Sequence, residues 1–104
     1  MYEEEPDAHE VTGLTGWTLL DFGTAWCGHC QRAAPLVTRF VASHPMRHVG
    51  VEDGRGRPLG RAYRVKLWPT LVLLKDGIEQ ARVVRPQVDA DLAPLAAAMG
   101  AQRH

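Results

Sequence analysis

The sequence predicts an α/β fold in which helices flank a mixed β-sheet, built as one domain over residues 1–104. This length suits a single domain, and 45% hydrophobic residues are enough for one core and too many for a disordered chain. Strand-sized apolar runs alternate with segments of helical spacing along the chain. The last two runs are joined by Asp76-Gly77, a strong hairpin signal. The sheet is therefore expected to combine helix-connected strands with one antiparallel pair.

The predicted order of elements is helix, strand, helix, strand, helix, strand, strand, helix. Residues 1–6 are expected to be disordered, and Asp7 with Glu10 three positions later indicates a short first helix. Residues 18–22 are apolar except for one acid, which favours a buried strand. The apolar residues of 27–43 recur at helical spacing and predict the next helix.

The second half of the chain supplies the remaining elements. One continuously apolar run is typical of a strand covered on both faces. The Ala- and Leu-rich segment before Gly100 is predicted to close the fold as a helix that ends at this glycine. The predicted bounds are 47–52 for a strand, 59–64 for a short helix, 70–74 and 78–84 for the hairpin strands, and 89–99 for the last helix.

Charge and hydropathy argue against several classes of function. Lys and Arg together number 12, as do Asp and Glu, so the neutral chain shows no general attraction to nucleic acid or to anionic membranes. No apolar stretch approaches the roughly 20 residues that span a bilayer, and no secretory signal is visible. The expected compartment is therefore the cytoplasm, where lasting structural disulfides are rare. A close cysteine pair there indicates redox chemistry or metal binding.

The two cysteines of the chain lie in the segment Trp26-Cys27-Gly28-His29-Cys30. A strand leads into Cys27 and a helix starts there, so unpaired N–H groups and the helix dipole should favour its thiolate. The thiolate is the reactive form of cysteine. Cys30 lies one turn further along and should be more buried. These positions predict that Cys27 attacks a substrate disulfide and that Cys30 resolves the mixed disulfide.

Two further residues are predicted to take part in catalysis. His29 lies between the cysteines, and an imidazolium there would stabilise the Cys27 thiolate and make the disulfide more oxidising; alternatively, it is an exposed loop residue. Asp21 is an acid inside an apolar strand, so burial should raise its pKa. It could then take the proton from Cys30 when that thiol must attack. The alternative is a buried acid that only accepts a hydrogen bond.

Two segments of the chain resemble the thioredoxin family over roughly residues 7–100. The first is Leu20-Asp21-Phe22 followed by Ala25-Trp26-Cys27-Gly28-His29-Cys30 and Ala34-Pro35, and the second is Trp68-Pro69-Thr70 with the apolar run after it. The resemblance implies a thioredoxin fold and a protein-disulfide oxidoreductase without a bound cofactor or metal. It implies a cis peptide bond before Pro69 that leaves the Trp68 backbone free to pair with a substrate strand. The substrate-binding residues are then expected to be Trp26, Gly28, Trp68, Pro69 and Thr70.

The resemblance also implies the partners of the protein. They are protein disulfides as substrates and a reductase or other redox partner as electron donor or acceptor. The chain is expected to act as a monomer, without nucleic acid or membrane.

The sequence departs from the family pattern at several positions. The pair Gly28-His29 resembles that of protein disulfide isomerases and implies a less reducing couple than that of thioredoxin. The family's first strand is expected to be absent or reduced to residues 2–5. Family members often carry a lysine near the buried acid, whereas this chain has valines on the 47–52 strand. Arg85-Pro86 stands where the family often has glycine, so the rim of the site is expected to be more polar and stiffer; an approach of Arg85 to the active site, as an arginine makes in disulfide isomerases, is the less favoured alternative.

Two other readings of the cysteine pair remain open. The spacing Cys27-x2-Cys30-x13-His44-x3-His48 fits a zinc-binding module. Pro45 separates the two histidines, however, so one regular helix cannot present both on one face. Outside a zinc site, both histidines are interpreted as ordinary surface or loop residues. The other alternative is an interaction domain that keeps the fold but performs no redox chemistry.

Overall fold

The computed structural model describes residues 7–101, and within them a four-stranded mixed sheet is flanked by helices. The predicted order of elements is confirmed. The elements are α1 (Ala8–Thr12), β1 (Trp17–Gly23), α2 (Gly28–Ser43), β2 (Arg47–Glu52), α3 (Pro58–Ala62), β3 (Thr70–Lys75), β4 (Ile78–Val84) and α4 (Ala93–Ala101), with a 3₁₀ turn at Asp89–Leu92 before α4. The proposed remnant of a first strand at 2–5 and the expected disorder of 1–6 lie outside the described residues.

Strand β1 is central to the sheet, whose order is β2-β1-β3-β4. It pairs in parallel with β2, in a register that matches Leu19 with His48, and antiparallel with β3. β3 pairs antiparallel with β4 through the predicted turn, where Gly77 has a φ of +80°. A glycine is required here because a left-handed backbone is strained for other residues.

Helices cover both faces of the sheet, and each face has its own apolar cluster. The first cluster joins Leu19 of β1 and its β3 neighbours to α2 and α4; the second joins Leu20 and Phe22 to Val11 of α1 and Leu59 of α3. Successive residues of a strand point to opposite faces. Asp21 therefore shares its face with Leu19, on the side covered by α2.

Two local predictions differ from the structure. The segment predicted as one helix from 89 begins as a 3₁₀ turn, in which the Asp91 carboxylate accepts hydrogen bonds from the N–H groups of Gln87 and Val88. Gly100 does not end the last helix, since Ala101 is still helical. Among residues 7–101, no helix has both the length and the apolar character needed to cross a membrane.

Candidate active site

Cys27 lies where β1 ends and α2 begins. It is the N-cap residue of α2, with an extended backbone, and its Sγ accepts a hydrogen bond from the N–H of Cys30 at 3.4 Å. The first turn of α2 contains no acidic residue, so the positive end of its dipole faces the thiol unopposed. Cys27 is 8% exposed and Cys30 3% exposed, and their sulfurs are not joined in a disulfide. The predicted asymmetry is present, although small.

The pKa of the Cys27 thiol lies below its ordinary value. Burial is the largest single influence and raises this pKa, but other groups outweigh it. The Cys30 thiol and the N–H groups of Cys30 and His29 donate hydrogen bonds to the sulfur, and the positive charge of Arg85 adds to them. The hydrogen bonds come from the helix N-terminus, as the sequence indicated. The charge comes from a residue 58 positions away in the chain, Arg85.

The surroundings of His29 do not favour the imidazolium that the sequence predicted. Its pKa is lowered, first by the charge of Arg85, then by desolvation and by Arg32. The Arg32 guanidinium also lies 3.2 Å from Nδ1 of His29, and because arginine only donates, Nδ1 must be an acceptor there. Both arginines therefore disfavour the imidazolium form of the ring next to Cys27. Arg85 rather than His29 supplies the positive charge next to the thiolate, and a role for His29 stays a prediction.

Asp21 is buried at 2% exposure on the sheet face under α2. Its Oδ2 lies 3.3 Å from Nε2 of His48, a half-buried residue of β2. The interpretation of His48 as an ordinary surface or loop residue is wrong, because the parallel register of β1 and β2 places it on the face of Asp21. The alternation of β2 held a signal for this contact: Val49 and Val51 pack in the opposite cluster, so His48 must point to the Asp21 side.

Two tryptophans form a rim beside the cysteine pair. Trp26 is 74% exposed and packs edge-on against Trp68, with ring centroids 5.6 Å apart. Nε1 of Trp68 donates a 2.8 Å hydrogen bond to Asp53, which fixes the orientation of the indole. The Asp53 carboxylate lies over Gly60 of α3, where any Cβ would collide with it. This glycine therefore allows the contact that orients Trp68.

The peptide bond between Trp68 and Pro69 is cis, as the resemblance implied. Pro69 and Thr70 are buried behind the rim, and Thr70 donates its hydroxyl to the carbonyl of Leu67 at 2.7 Å. The Trp68 backbone is not entirely free, contrary to expectation, because its carbonyl accepts a 2.8 Å hydrogen bond from Nε of Arg85. A carbonyl oxygen has two lone pairs, so one acceptor direction is still open to a substrate.

The described residues give no support to a zinc site. No cluster of three or more metal-binding side chains occurs within residues 7–101. His48 contacts Asp21, while the ring of His44 stacks on Phe40 with centroids 4.4 Å apart and its Nδ1 lies 3.2 Å from the Phe40 carbonyl. The two histidines thus contact different parts of the fold and do not form a common site with the cysteine pair.

The chain is similar to proteins of known family in sequence and structure. The family model described as Thioredoxin matches residues 7–98. A thioredoxin from Chlamydia pneumoniae is 39% identical over 72 residues, which are 67% of this chain and 70% of that protein. Protein disulfide isomerase-like 5-2 from Oryza sativa subsp. japonica is 31% identical over 80 residues, 72% of this chain and 19% of that protein. The structure of reduced thioredoxin 2 from Pseudomonas aeruginosa PAO1 superposes with a TM-score of 0.85 at 48% identity, covering 96% of this chain and 95% of that chain.

Proposed function

Because this chain belongs to the thioredoxin family, whose members are thiol–disulfide oxidoreductases, we propose that it exchanges disulfides in proteins through Cys27 and Cys30. The observation that carries the proposal is the position of Cys27 at the N-cap of α2, where hydrogen bonds and Arg85 lower the pKa of its thiol. A lowered pKa increases the thiolate fraction at neutral pH, and the thiolate is the attacking species.

The first step is attack by the Cys27 thiolate on one sulfur of a substrate disulfide. A new S–S bond joins Cys27 to the substrate, the substrate disulfide breaks, and its second sulfur leaves as a thiolate. The exposed face of Trp26 and the edge formed by Trp68 and Pro69 supply an apolar surface against which an extended substrate segment can lie. Gly28, with no side chain, leaves room for the substrate backbone, while Thr70 is buried and supports the site from behind through its bond to Leu67.

The second step resolves the mixed disulfide. Cys30 loses its proton and attacks Cys27 Sγ, which releases the reduced substrate and leaves a Cys27–Cys30 disulfide. The substrate gains two electrons and the enzyme loses two. We assign the acceptance of the Cys30 proton to Asp21, the buried acid under α2, and the positioning of Asp21 to its contact with His48. A reductase or other redox partner then returns the enzyme to the dithiol form.

The stabilised thiolate also bears on the direction of the reaction. Any group that favours the thiolate stabilises the dithiol form and makes the disulfide more oxidising. We therefore propose a couple less reducing than the approximately −270 mV of thioredoxin, with Arg85 as the principal charged contributor. The proposed acting form is a monomer, and the proposed compartment is the cytoplasm, to be checked by gel filtration and by cell fractionation.

The proposal is tested by trapping the mixed disulfide. Cys30→Ser stops the reaction after the first step, so the variant should accumulate as a covalent adduct with a protein substrate that reductant releases. Cys27→Ser is the matched control and should form no adduct and lose disulfide-reductase activity. A Cys27→Ser variant with full activity would instead favour the interaction domain without redox chemistry.

A further inference from the structure

A cleft of about 340 Å³ adjoins the cysteine pair, between the first turn of α2 and the segment that follows β4. It is lined by His29, Arg32, Arg85, Pro86 and Gln87. Arg32 folds back toward the start of α2, so that a Cβ on Gly28 would lie 3.4 Å from its Nη1. The charge of Arg85 reaches both Cys27 and His29. The cleft therefore lies beside Cys27, the residue that would hold the substrate.

The charge of this cleft is not balanced by the protein. Its lining contains two guanidinium groups and no acid. Within residues 7–101, neither Arg32 nor Arg85 forms an ion pair with a carboxylate; the side-chain hydrogen bonds they make go to His29 and to the Trp68 carbonyl, which are neutral acceptors. The nearby acids are engaged elsewhere, since Asp89 pairs with Arg39 and Asp91 caps the 3₁₀ turn. The dipole of α2 adds positive potential at the same place.

We propose that this cleft binds a carboxylate of the disulfide substrate, so that the protein prefers disulfides flanked by acidic residues. The inference rests on the proposed function and specifies its substrate class. Arginine pairs with carboxylates through two parallel hydrogen bonds, and such charge-assisted bonds are roughly twice as strong as neutral ones.

The reaction itself creates the need for an anion. In the dithiol form, the positive charge of Arg85 favours the Cys27 thiolate, whose negative charge would partly balance it. When Cys27 attacks, its sulfur becomes part of a disulfide and the negative charge leaves on the other substrate sulfur. The two guanidinium groups then face a neutral Cys27. A substrate carboxylate in the cleft replaces the lost charge and stabilises the mixed disulfide.

A second cleft favours a polypeptide as the source of the carboxylate. It has a volume of about 440 Å³ and lies against Trp68. Its lining includes Arg55, Arg61 and Lys66, none of which forms an ion pair with a carboxylate in the described part of the chain. The one acid in the lining, Asp53, accepts the hydrogen bond from Trp68. Positive charge in excess of nearby carboxylates thus lies on two sides of the tryptophan rim, a distribution that suits an acidic segment better than a small thiol.

The test compares matched disulfide-linked peptides. Two peptides are identical except for Glu or Gln at the positions that flank the cysteine, and the second-order rate constant of their reaction with the reduced protein is measured at low salt. Wild type should favour the Glu peptide by about three- to tenfold. Arg32→Gln should bring the Glu-to-Gln ratio toward one. Arg47→Gln should keep it, because Arg47 lies at the start of β2, lines neither cleft and pairs with no carboxylate among the described residues. Arg85 is left unchanged because it also acts on Cys27.

A second pair of substrates separates the two sources of carboxylate. The Gln peptide is joined either to glutathione, which carries carboxylates, or to neutral 2-mercaptoethanol. A glutathione preference that depends on Arg32, without a Glu preference, would support a carboxylate site for a small thiol. Equal rates for Glu and Gln peptides together with no Arg32-dependent glutathione effect would overturn the inference, while turnover of the neutral substrates would leave the proposed function intact. A loss of preference in Arg47→Gln equal to that in Arg32→Gln would also overturn it.

Discussion

Replacement of His48 by leucine tests whether the buried Asp21 depends on its neighbour in β2. The Nε2 to Oδ2 distance is 3.3 Å, and Asp21 is 2% exposed whereas the His48 side chain is 20% exposed. Leucine fills a similar volume but donates no hydrogen bond, so His48→Leu removes this donor from a buried acid. His48→Gln is the matched variant, since its amide retains a donor of similar reach.

The expected cost follows from the geometry of the pair. Hydrogen bonds to charged groups contribute about 1.5–3 kcal/mol. Because His48 is partly exposed, water can replace some of the lost contact, so His48→Leu should lower the free energy of unfolding by about 2 kcal/mol. In a domain of this size, each kcal/mol corresponds to a Tm shift of about 4–8 °C, which predicts a loss of about 10 °C. His48→Gln should recover much of this loss.

The assay is a double-mutant cycle with Asp21→Asn, measured by urea unfolding of the reduced protein. The cost of His48→Leu should fall well below its value in wild type once Asp21 has been replaced. Single-turnover kinetics supply a second readout: His48→Leu should slow release of the reduced substrate and leave the initial attack by Cys27 unaffected. An equal cost of His48→Leu in both backgrounds, or an unchanged release rate, would refute the assignment of His48 as the residue that positions Asp21.

Three further predictions follow from the structure. Because folding lowers the pKa of Cys27, its thiolate stabilises the folded protein above the unfolded pKa of the thiol, and this stability is lost as the pH falls through the folded pKa. The rate of Cys27 alkylation should therefore titrate with a midpoint below the ordinary thiol range. Arg85→Gln should move that midpoint upward. The lowered pKa of His29 means that folding disfavours its protonated form, so its NMR titration midpoint should lie below 6.5 and rise in Arg85→Gln. Gly77→Ala should destabilise the protein by about 1 kcal/mol more than Gly16→Ala, because both glycines have positive φ but only at Gly77 would the Cβ collide with backbone, that of α1.

Each of these predictions has a control and a contradicting outcome. Arg39→Gln should leave the alkylation midpoint of Cys27 unchanged, and an unchanged midpoint in Arg85→Gln would remove Arg85 from the account of thiolate stabilisation. A His29 midpoint above 6.5 would restore the imidazolium that the sequence suggested. Equal losses of stability for the two glycine variants in urea unfolding would show that the chain accommodates a methyl group at Gly77.

Local rules in the sequence account for the elements and for part of the site. A strand followed by a helix with cysteine at the junction is enough to place Cys27 at a helix N-terminus, because capping depends on only a few neighbouring residues. The continuous apolar runs of β1 and β3 indicate strands covered on both faces. The last helix was less predictable, since its start depends on how Asp91 caps the preceding turn.

The charged surroundings of the thiol were not predictable in the same way. His48 reaches Asp21 only through the register between β1 and β2, which is a property of strand pairing and not of either strand alone. The lowered pKa of His29 depends on two arginines, one of them brought in from the end of β4.

The sequence by itself determined that a pair of thiols lies at the start of a helix in a domain of this family, because helix capping, hydrophobic periodicity and the cysteine spacing are local properties. Only the tertiary structure decided which charges surround those thiols. Arg85 acts on Cys27, His48 contacts Asp21 and Asp53 orients Trp68; all three come from segments distant in the chain, and electrostatic interactions depend on separation in space. The pKa of the Cys27 thiol is therefore lowered by hydrogen bonds from its own helix and lowered further by Arg85, which the packing of a distant loop brings close to it.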